Sequence, residues 1–311
     1  MQILRRFPDS AQQYAAEIST PDHAEEQREA IRDGLSRAVQ NTVGHEPTDL
    51  ALMCCDNQGE ISIYVGLGGS NTAVLPLRPP PAHSTCLPVE AVRFYEDAVA
   101  AGRRAIEQGR SGEDYSTGYT LSVDPVARAK QLSMHDYAVT HQQPIERALQ
   151  GCADSEQRQA AAMLLGYAAP SRSQVAALVR ASRDADEEVR NNAVRALWVL
   201  ATSNSALRVP ANYFVVMLNS GRWTDRNKAG MLLLVLTRSR HRPLLQRLRS
   251  EALKSLIEMA RWDDPTHAYA YQVFLGRIAG LNEEQIRQLV EQKKVEKIIS
   301  AVLGNNTPAQ H

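Results

Sequence analysis

Aromatic residues are scarce in this chain of 311 residues: they make up 5% of it, although hydrophobic residues make up 43%. β-Strands favour aromatic and β-branched side chains, so the shortage weighs against a fold built mainly of sheets. Alanine, which costs less in a helix than any other residue, occurs 41 times. The composition therefore predicts a mostly α-helical protein.

Long apolar runs are missing as well. The longest, such as Met231–Leu236, fall far short of the roughly 20 residues that span a bilayer. The N-terminal stretch, MQILRRFPDS, has basic residues but no apolar segment behind them, so no signal peptide is visible. We therefore predict no membrane span and, for the chain as written, a cytoplasmic location.

Cysteine is limited to four positions, Cys54, Cys55, Cys86 and Cys152. They are too few and too unevenly spaced for a disulfide-dense scaffold, and they match neither a CxxC motif nor a zinc knuckle. The eight histidines are scattered and form no cluster with zinc-ligand spacing. We expect ordinary buried or half-buried thiols and no metal.

Motifs of several enzyme classes are absent from the sequence. It contains no HExxH, no GxSxG and no P-loop signature. A glycine-rich segment, Gly66–Gly69, follows a candidate strand, but it lacks the third glycine of a dinucleotide site and no helix opens directly after it. We therefore predict that the protein is not an enzyme and binds no cofactor.

Net charge is zero overall, with 35 basic and 35 acidic side chains, but the two halves of the chain differ. Residues 1–150 carry 13 basic and 20 acidic side chains, and residues 151–311 carry 22 and 15. The halves therefore have formal charges of −7 and +7. This asymmetry predicts that the second half attracts acidic partners.

Hydrophobic periodicity predicts a small α/β module over residues 1–85. A helical pattern covers 9–41, and a β-hairpin follows, with alternating stretches at 50–55 and 61–65 on either side of a polar turn. Residues 73–77 are a candidate third strand. The remaining segments are predicted to be linking helices over 86–150, a helical solenoid over 151–303 and a disordered tail over 304–311.

The second half repeats a pattern of an Arg, an Ala three residues later and a bulky apolar residue seven later. Three copies fit it and a fourth begins with His: Arg158/Ala161/Leu165, Arg190/Ala193/Leu197, Arg226/Ala229/Leu233 and His267/Ala270/Phe274. A second amphipathic stretch follows each copy, and such helix pairs are typical of an α-solenoid. We expect Asp154, Asp186 and Asp264 to cap helices, and the Arg to bind an Asp or a carbonyl of the neighbouring repeat.

The segment Asp186–Leu197, DEEVRNNAVRAL, resembles the first helix of a HEAT repeat, in the short form shared with bilin-lyase HEAT-like repeats. The resemblance covers about residues 154–303. It implies a HEAT-like α-solenoid, here preceded by the small α/β module with its β-hairpin, as in a group of uncharacterised bacterial HEAT-repeat proteins. Some relatives of that kind are exported, which implies a periplasmic or exported location if the N-terminus is truncated.

Two groups of side chains are candidates for partner binding. The first is a basic run, and the second is a pair of tryptophans in loops that also hold Asp and Arg near a helix start. The candidates are Arg238, Arg240, Arg242, Arg247, Arg249, Trp223 and Trp262. The alternatives are a solvated face for the arginines, and packing over a repeat junction for the tryptophans.

These patterns predict a non-catalytic protein–protein interaction scaffold that uses the solenoid surface. The charge of the second half favours an acidic protein as the partner. One alternative is a nucleic-acid or polyanion binder, including a HEAT-like DNA glycosylase, a class that also uses Trp, Asp and Arg on a basic surface. Nucleic acid is less favoured because no aromatic residue lies among the arginines of residues 237–250. A bilin-lyase-like protein is the other alternative.

Overall fold

The computed structural model describes residues 25–53, 62–68, 72–82, 85–204, 206–262 and 264–304. Within these ranges the protein is mostly helical, as its composition predicts, with thirteen α-helices and two small two-stranded sheets. No helix of the described ranges is both long and apolar enough to cross a membrane.

The helices and strands follow one another along the chain in this order. The elements are α1 (Glu25–Val43), β1 (Asp49–Met53), β2 (Ser62–Gly66), α2 (Val89–Glu107), β3 (Glu113–Asp114), β4 (Leu121–Ser122), α3 (Pro125–Thr140), α4 (Gln142–Gly151), α5 (Ser155–Leu165), α6 (Arg172–Ala181), α7 (Glu187–Ser203), α8 (Asn212–Met217), α9 (Trp223–Leu236), a 3₁₀ turn (Thr237–Ser239), α10 (Arg242–Ala260), α11 (Pro265–Ile278), α12 (Glu283–Glu291) and α13 (Val295–Gly304).

The predicted β-hairpin is confirmed: β1 and β2 pair antiparallel, with Asp49 opposite Gly66. Its turn lies outside the described residues. The candidate third strand is wrong, because residues 73–77 belong to no strand. Pro76 has no N–H to donate to a strand ladder, which explains why the alternating pattern around it does not extend the sheet.

The predicted capping aspartates are confirmed, and each one accepts hydrogen bonds from backbone N–H groups of the first turn. Asp154 accepts from Glu156, and Asp186 accepts from Val189. Asp264 accepts from the two residues that follow Pro265. These carboxylates satisfy donors that a helix start leaves without partners, so they end the preceding loops at defined positions.

The chain folds into two compact units. Unit 1 comprises Met1–Val74, Asn219–Arg226 and Leu253–His311, and unit 2 comprises Leu75–Leu218 and Asn227–Ala252. Unit 1 has 14 basic and 19 acidic side chains and unit 2 has 21 and 16, so their formal charges are −5 and +5. The charge asymmetry of the two halves of the sequence therefore persists between the units. The predicted division into four segments stays a prediction.

The core of unit 2 is built by helices that lie side by side. α5 packs against α4 and α7, and α6 packs against α7. The alanine and leucine of the repeated pattern lie in this core: Ala161, Leu165, Ala193 and Leu197 are all fully buried. Small and branched side chains at these positions allow the helices to approach closely, which accounts for the low aromatic content of the chain.

Cys86 and Cys152 form a disulfide bond in unit 2, with their Cα atoms 4.7 Å apart. The expectation of free thiols is therefore wrong for this pair. The two residues are 66 positions apart, and only the packing of the segment before α2 near the end of α4 brings them together. A pairing of this kind leaves no local spacing signal in the sequence. Cys54 and Cys55 lie outside the described residues.

Candidate functional site

Unit 2 contains a cavity of about 430 Å³ lined by α2, α5 and α7, together with residues of β3, α3 and the segment before β4; we call it the α2 cavity. Most of its wall is apolar, with Val99 and Ile106 from α2, Met163 from α5 and Val199 from α7. Ile106 is 62% exposed, so much of its apolar surface is in contact with water at this cavity. A concave apolar site of this size is typical of small-molecule binding.

A charge pair lies at the polar side of the α2 cavity. Arg195 of α7 donates a hydrogen bond to one carboxylate oxygen of Glu113 in β3, and the hydroxyl of Tyr115 donates to the other oxygen. Burial lowers the pKa of Arg195, but Glu113 beside it outweighs this and leaves the pKa raised. Burial and the bond to Glu113 raise the pKa of Tyr115. Arg195 and Glu113 form an ion pair, which is neutral as a whole.

Gln131 and Thr120 also line the α2 cavity, and each has a hydrogen-bonding group without a partner among the described residues. The carbonyl of the Gln131 side chain accepts from the backbone N–H of Ser122 at 2.6 Å, but its NH₂ group bonds to no described residue. The hydroxyl of Thr120 likewise has no partner among the described residues. Gln131 is 7% exposed and Thr120 is 8% exposed. Neither donor atom is fully buried, so water or a ligand in the cavity can accept from it.

A second concave surface of unit 2, the α6 groove, has a volume of about 490 Å³. Its apolar floor includes Val175 and Val179 of α6, and Leu207 in the segment before α8. Arg172, the first residue of α6, and Arg208 lie at its border and are exposed. Neither arginine forms an ion pair or a side-chain hydrogen bond with any residue that the structure describes.

The predicted basic run lies in unit 2, around the 3₁₀ turn and the start of α10. Arg238 and Arg242 are exposed, and Arg240 has a left-handed backbone with φ of 52°. Arg247 and Arg249 are half-buried on α10, and Arg247 forms an ion pair with Glu251 at 2.8 Å. The run is therefore partly a solvated surface and partly committed to pairing within its own helix.

The two predicted tryptophans come together in unit 1. The ring centroids of Trp223 and Trp262 are 5.3 Å apart, and Tyr64 of β2 lies 5.6 Å from Trp223. Trp223 is only 6% exposed, and its backbone N–H donates to Asp49 at 2.7 Å. The structure thus places Trp223 in the interior of unit 1, and Trp262 half-buried against it.

Arg226 connects this aromatic cluster to its surroundings. Nη1 of Arg226 donates to the hydroxyl of Tyr64 and to a carboxylate oxygen of Glu258, both at 3.1 Å. Its guanidinium carbon lies 5.6 Å from the ring centre of Trp262. Together, stacking and hydrogen bonding hold the hairpin to the C-terminal helices of unit 1, which is a structural role.

None of the predicted partner-binding residues lines the α2 cavity or the α6 groove. The lining residues of the cavity come from six separate parts of the chain, and Glu113 lies in a polar stretch that has no helical or strand periodicity. A sequence motif for this site therefore does not exist. Arg172 and Arg208 are isolated charges, and a search for dense basic runs passes over them.

Comparison with known proteins adds no assignment: no protein-family model matches the sequence, and no curated protein matches it. Across the part of the chain that the structure describes, no three His, Cys, Asp or Glu side chains are grouped so that they could hold a metal ion.

Proposed function

We propose that this protein is a non-catalytic interaction scaffold of HEAT-like repeats, which binds an acidic partner protein through the α6 groove. The observation that carries the proposal is the position of Arg172 and Arg208, two exposed cations at the border of an apolar groove that have no acidic partner among the described residues. The net charge of +5 on unit 2 supports the same choice of partner.

A recurrent clamp supports the repeat assignment within unit 2. Arg158 donates through Nη1 to the carbonyls of Cys152 and Ala153, six and five residues before it. Arg190 donates through Nη1 to the carbonyls of Asp184 and Ala185, at the same two offsets. Identical contacts 32 residues apart are what a structural repeat produces.

The third and fourth copies of the pattern make other contacts. Arg226 donates to Tyr64 and Glu258, and His267 pairs with Asp264 through Nδ1 at 2.6 Å. The clamp therefore supports a HEAT-like assignment for the first two copies more strongly than for the last two.

The chemistry of the α6 groove indicates a peptide segment with an apolar residue between acidic ones. Val175, Val179 and Leu207 offer apolar contact for one or two aliphatic side chains. The two arginines can each form charge-assisted, bidentate hydrogen bonds with a carboxylate. An acidic rim on the partner also speeds association, because opposite charges steer the encounter.

The proposal is tested by fluorescence anisotropy with a labelled peptide of alternating glutamate and leucine, and with a lysine–leucine peptide as the control. We expect the acidic peptide to bind, and the double variant R172E/R208E to weaken binding at least tenfold. The matched control is R238E/R242E, which reverses two exposed charges of the basic run in the same unit and should change affinity less than threefold.

Several outcomes overturn the assignment of the groove. If the acidic peptide does not bind at 50 mM salt, the groove is not its binding site. If both double variants lose affinity equally, binding depends only on the net charge of the protein. If only R238E/R242E loses affinity for the peptide, the binding site is the predicted basic run and not the groove. Stronger binding of a DNA duplex than of the acidic peptide, with a steep salt dependence, favours the alternative nucleic-acid function.

The Cys86–Cys152 disulfide supports an oxidising compartment, because disulfides persist outside the cytosol and are reduced within it. We expect both thiols to resist alkylation, without prior reduction, in protein taken from its native cells. Alkylation of both residues under those conditions, measured by mass spectrometry, contradicts this location and favours the cytoplasmic expectation.

A further inference from the structure

We propose that the α2 cavity binds an uncharged, apolar small molecule that carries a carbonyl group, such as an aliphatic amide or ketone. This site is separate from the α6 groove and does not depend on the scaffold function. Its volume of about 430 Å³ lies within the roughly 300–1,000 Å³ usual for small-molecule sites.

The apolar part of the ligand follows from the wall of the cavity. Val99, Met163 and Val199 line it, and Ile106 exposes much of its surface at the same site. An aliphatic ligand removes this apolar surface from water, which is the main source of affinity for such molecules. The low polarity of the wall offers little to a sugar or another polyhydroxylated compound.

The carbonyl group follows from the unused donors that line the cavity. Thr120 and Gln131 contribute a hydroxyl and an NH₂ group without partners among the described residues. Arg195 donates to Glu113 through a single described hydrogen bond, so further guanidinium N–H groups stay available. Both oxygens of Glu113 already accept, from Arg195 and Tyr115. A carbonyl oxygen is an acceptor to which these unused donors can bind.

The absence of charge on the ligand follows from the balance of charges at the site. Arg195 and Glu113 neutralise each other, and Arg103 and Glu107 add one charge of each sign at exposed positions of α2. A carboxylate ligand adds an uncompensated anion beside Glu113, and an ammonium ligand adds an uncompensated cation beside Arg195. Burying an unpaired ion is costly, so a neutral carbonyl compound is favoured over both.

The test uses three eight-carbon probes of similar size: octanamide, octanoate and octylammonium. Binding is followed through the methyl NMR signal of Met163, which lines the cavity. We expect octanamide to shift this signal, and to bind at least tenfold more tightly than either charged probe. Met259 of α10 is fully buried elsewhere, in unit 1, and its signal serves as an internal control.

Two substitutions test the location without damaging the fold. Gly102 lines the cavity, and a Cβ there meets nothing within 4 Å, so G102F fills the space while G102A adds only a methyl group. Both replace a glycine inside α2, which favours the helix. We expect G102F to abolish octanamide binding and G102A to weaken it less than threefold, with both variants at least as stable as the parent protein.

The polar contact is tested with T120V, which removes the hydroxyl at nearly constant volume. Loss of one hydrogen bond is expected to weaken octanamide binding about three- to tenfold and to leave octylammonium binding unchanged. The proposal is overturned if octanoate binds more tightly than octanamide, if G102F binds octanamide as the parent does, or if no probe shifts the Met163 signal at millimolar concentration.

Discussion

Arg158 and Asp184 form a buried ion pair with two parallel hydrogen bonds. Nε and Nη2 of the arginine each lie 2.9 Å from a different carboxylate oxygen, and the arginine side chain is 2% exposed. The remaining Nη1 donates to the carbonyls of Cys152 and Ala153. One guanidinium thus joins the loop before α5 to the loop before α7.

The substitution R158A is expected to lower the free energy of unfolding by about 3–5 kcal/mol, because it leaves the carboxylate of Asp184 and two carbonyls buried without their donor. The measurement is urea unfolding followed by circular dichroism. The control is R180A, which removes an exposed arginine of α6 and should cost less than about 0.5 kcal/mol. If R158A lowers the free energy of unfolding by less than about 1 kcal/mol, the contacts of Arg158 do not stabilise the fold as expected.

L197A is expected to destabilise the protein by about 2–5 kcal/mol, because Leu197 is fully buried in the core of unit 2 and its truncation leaves a cavity. The matched control is L132A on α3, where the leucine is 39% exposed. Equal losses for the two variants, measured by the same urea unfolding, contradict the assignment of Leu197 to the interior.

The sequence allowed the helix positions, the capping aspartates and the hairpin to be predicted, because each depends on residues close together in the chain. Asp154 and Asp186 act within the first turn of their own helices. The repeated arginine is expected to bind an Asp or a carbonyl of the neighbouring repeat. Arg158 does bind an acid, Asp184, in the loop before the next copy, but the carbonyl of Cys152 that it binds precedes its own helix.

The α2 cavity, the α6 groove and the disulfide could not be predicted in the same way. Glu113 meets Arg195 across 82 residues, and Cys86 meets Cys152 across 66. Such pairs depend on how helices pack, and one sequence carries no record of that packing. Trp223 and Trp262 are candidates for partner binding, with packing at a repeat junction as the alternative, and the structure buries Trp223 beside Trp262 in unit 1.

Reduction of the Cys86–Cys152 disulfide is expected to lower the free energy of unfolding by about 4 kcal/mol, since the bond closes a loop of some 66 residues and restricts the unfolded chain. The measurement is urea unfolding with and without a thiol reductant. The double variant C86S/C152A is the control and should unfold identically in both conditions. A parent protein whose stability is insensitive to reductant contradicts the prediction.

Lys228 of α9 is expected to make stability depend on pH in the alkaline range. Burial first, and then the positive charge of Arg195, lower the pKa of Lys228 to about 8, from 10.5 in an exposed lysine. The charges of Glu113 and Glu188 act in the opposite direction but do not compensate for this. The protonated amine is therefore disfavoured in the folded protein.

The sign of the effect follows from proton binding. Between about pH 8 and 10.5 the unfolded chain holds a proton on Lys228 that the folded protein has released, so this residue makes the free energy of unfolding rise with pH in that window. Below pH 8 Lys228 is protonated in both the folded and the unfolded protein, so the full free-energy cost of burying the charged amine applies. K228M should remove the penalty, stabilise the protein at pH 7 by up to about 3 kcal/mol, and flatten the alkaline rise.

Urea unfolding at pH 7, 8, 9 and 10 measures this difference between the parent protein and K228M. The control is K130M, which removes an exposed lysine of α3 that pairs with Asp97 at 2.7 Å. This surface pair contributes at most about 1 kcal/mol, and its loss should not alter the alkaline rise. If K228M is less stable than the parent at pH 7, or if its pH dependence matches that of the parent, the Lys228 amine is not disfavoured in its charged form.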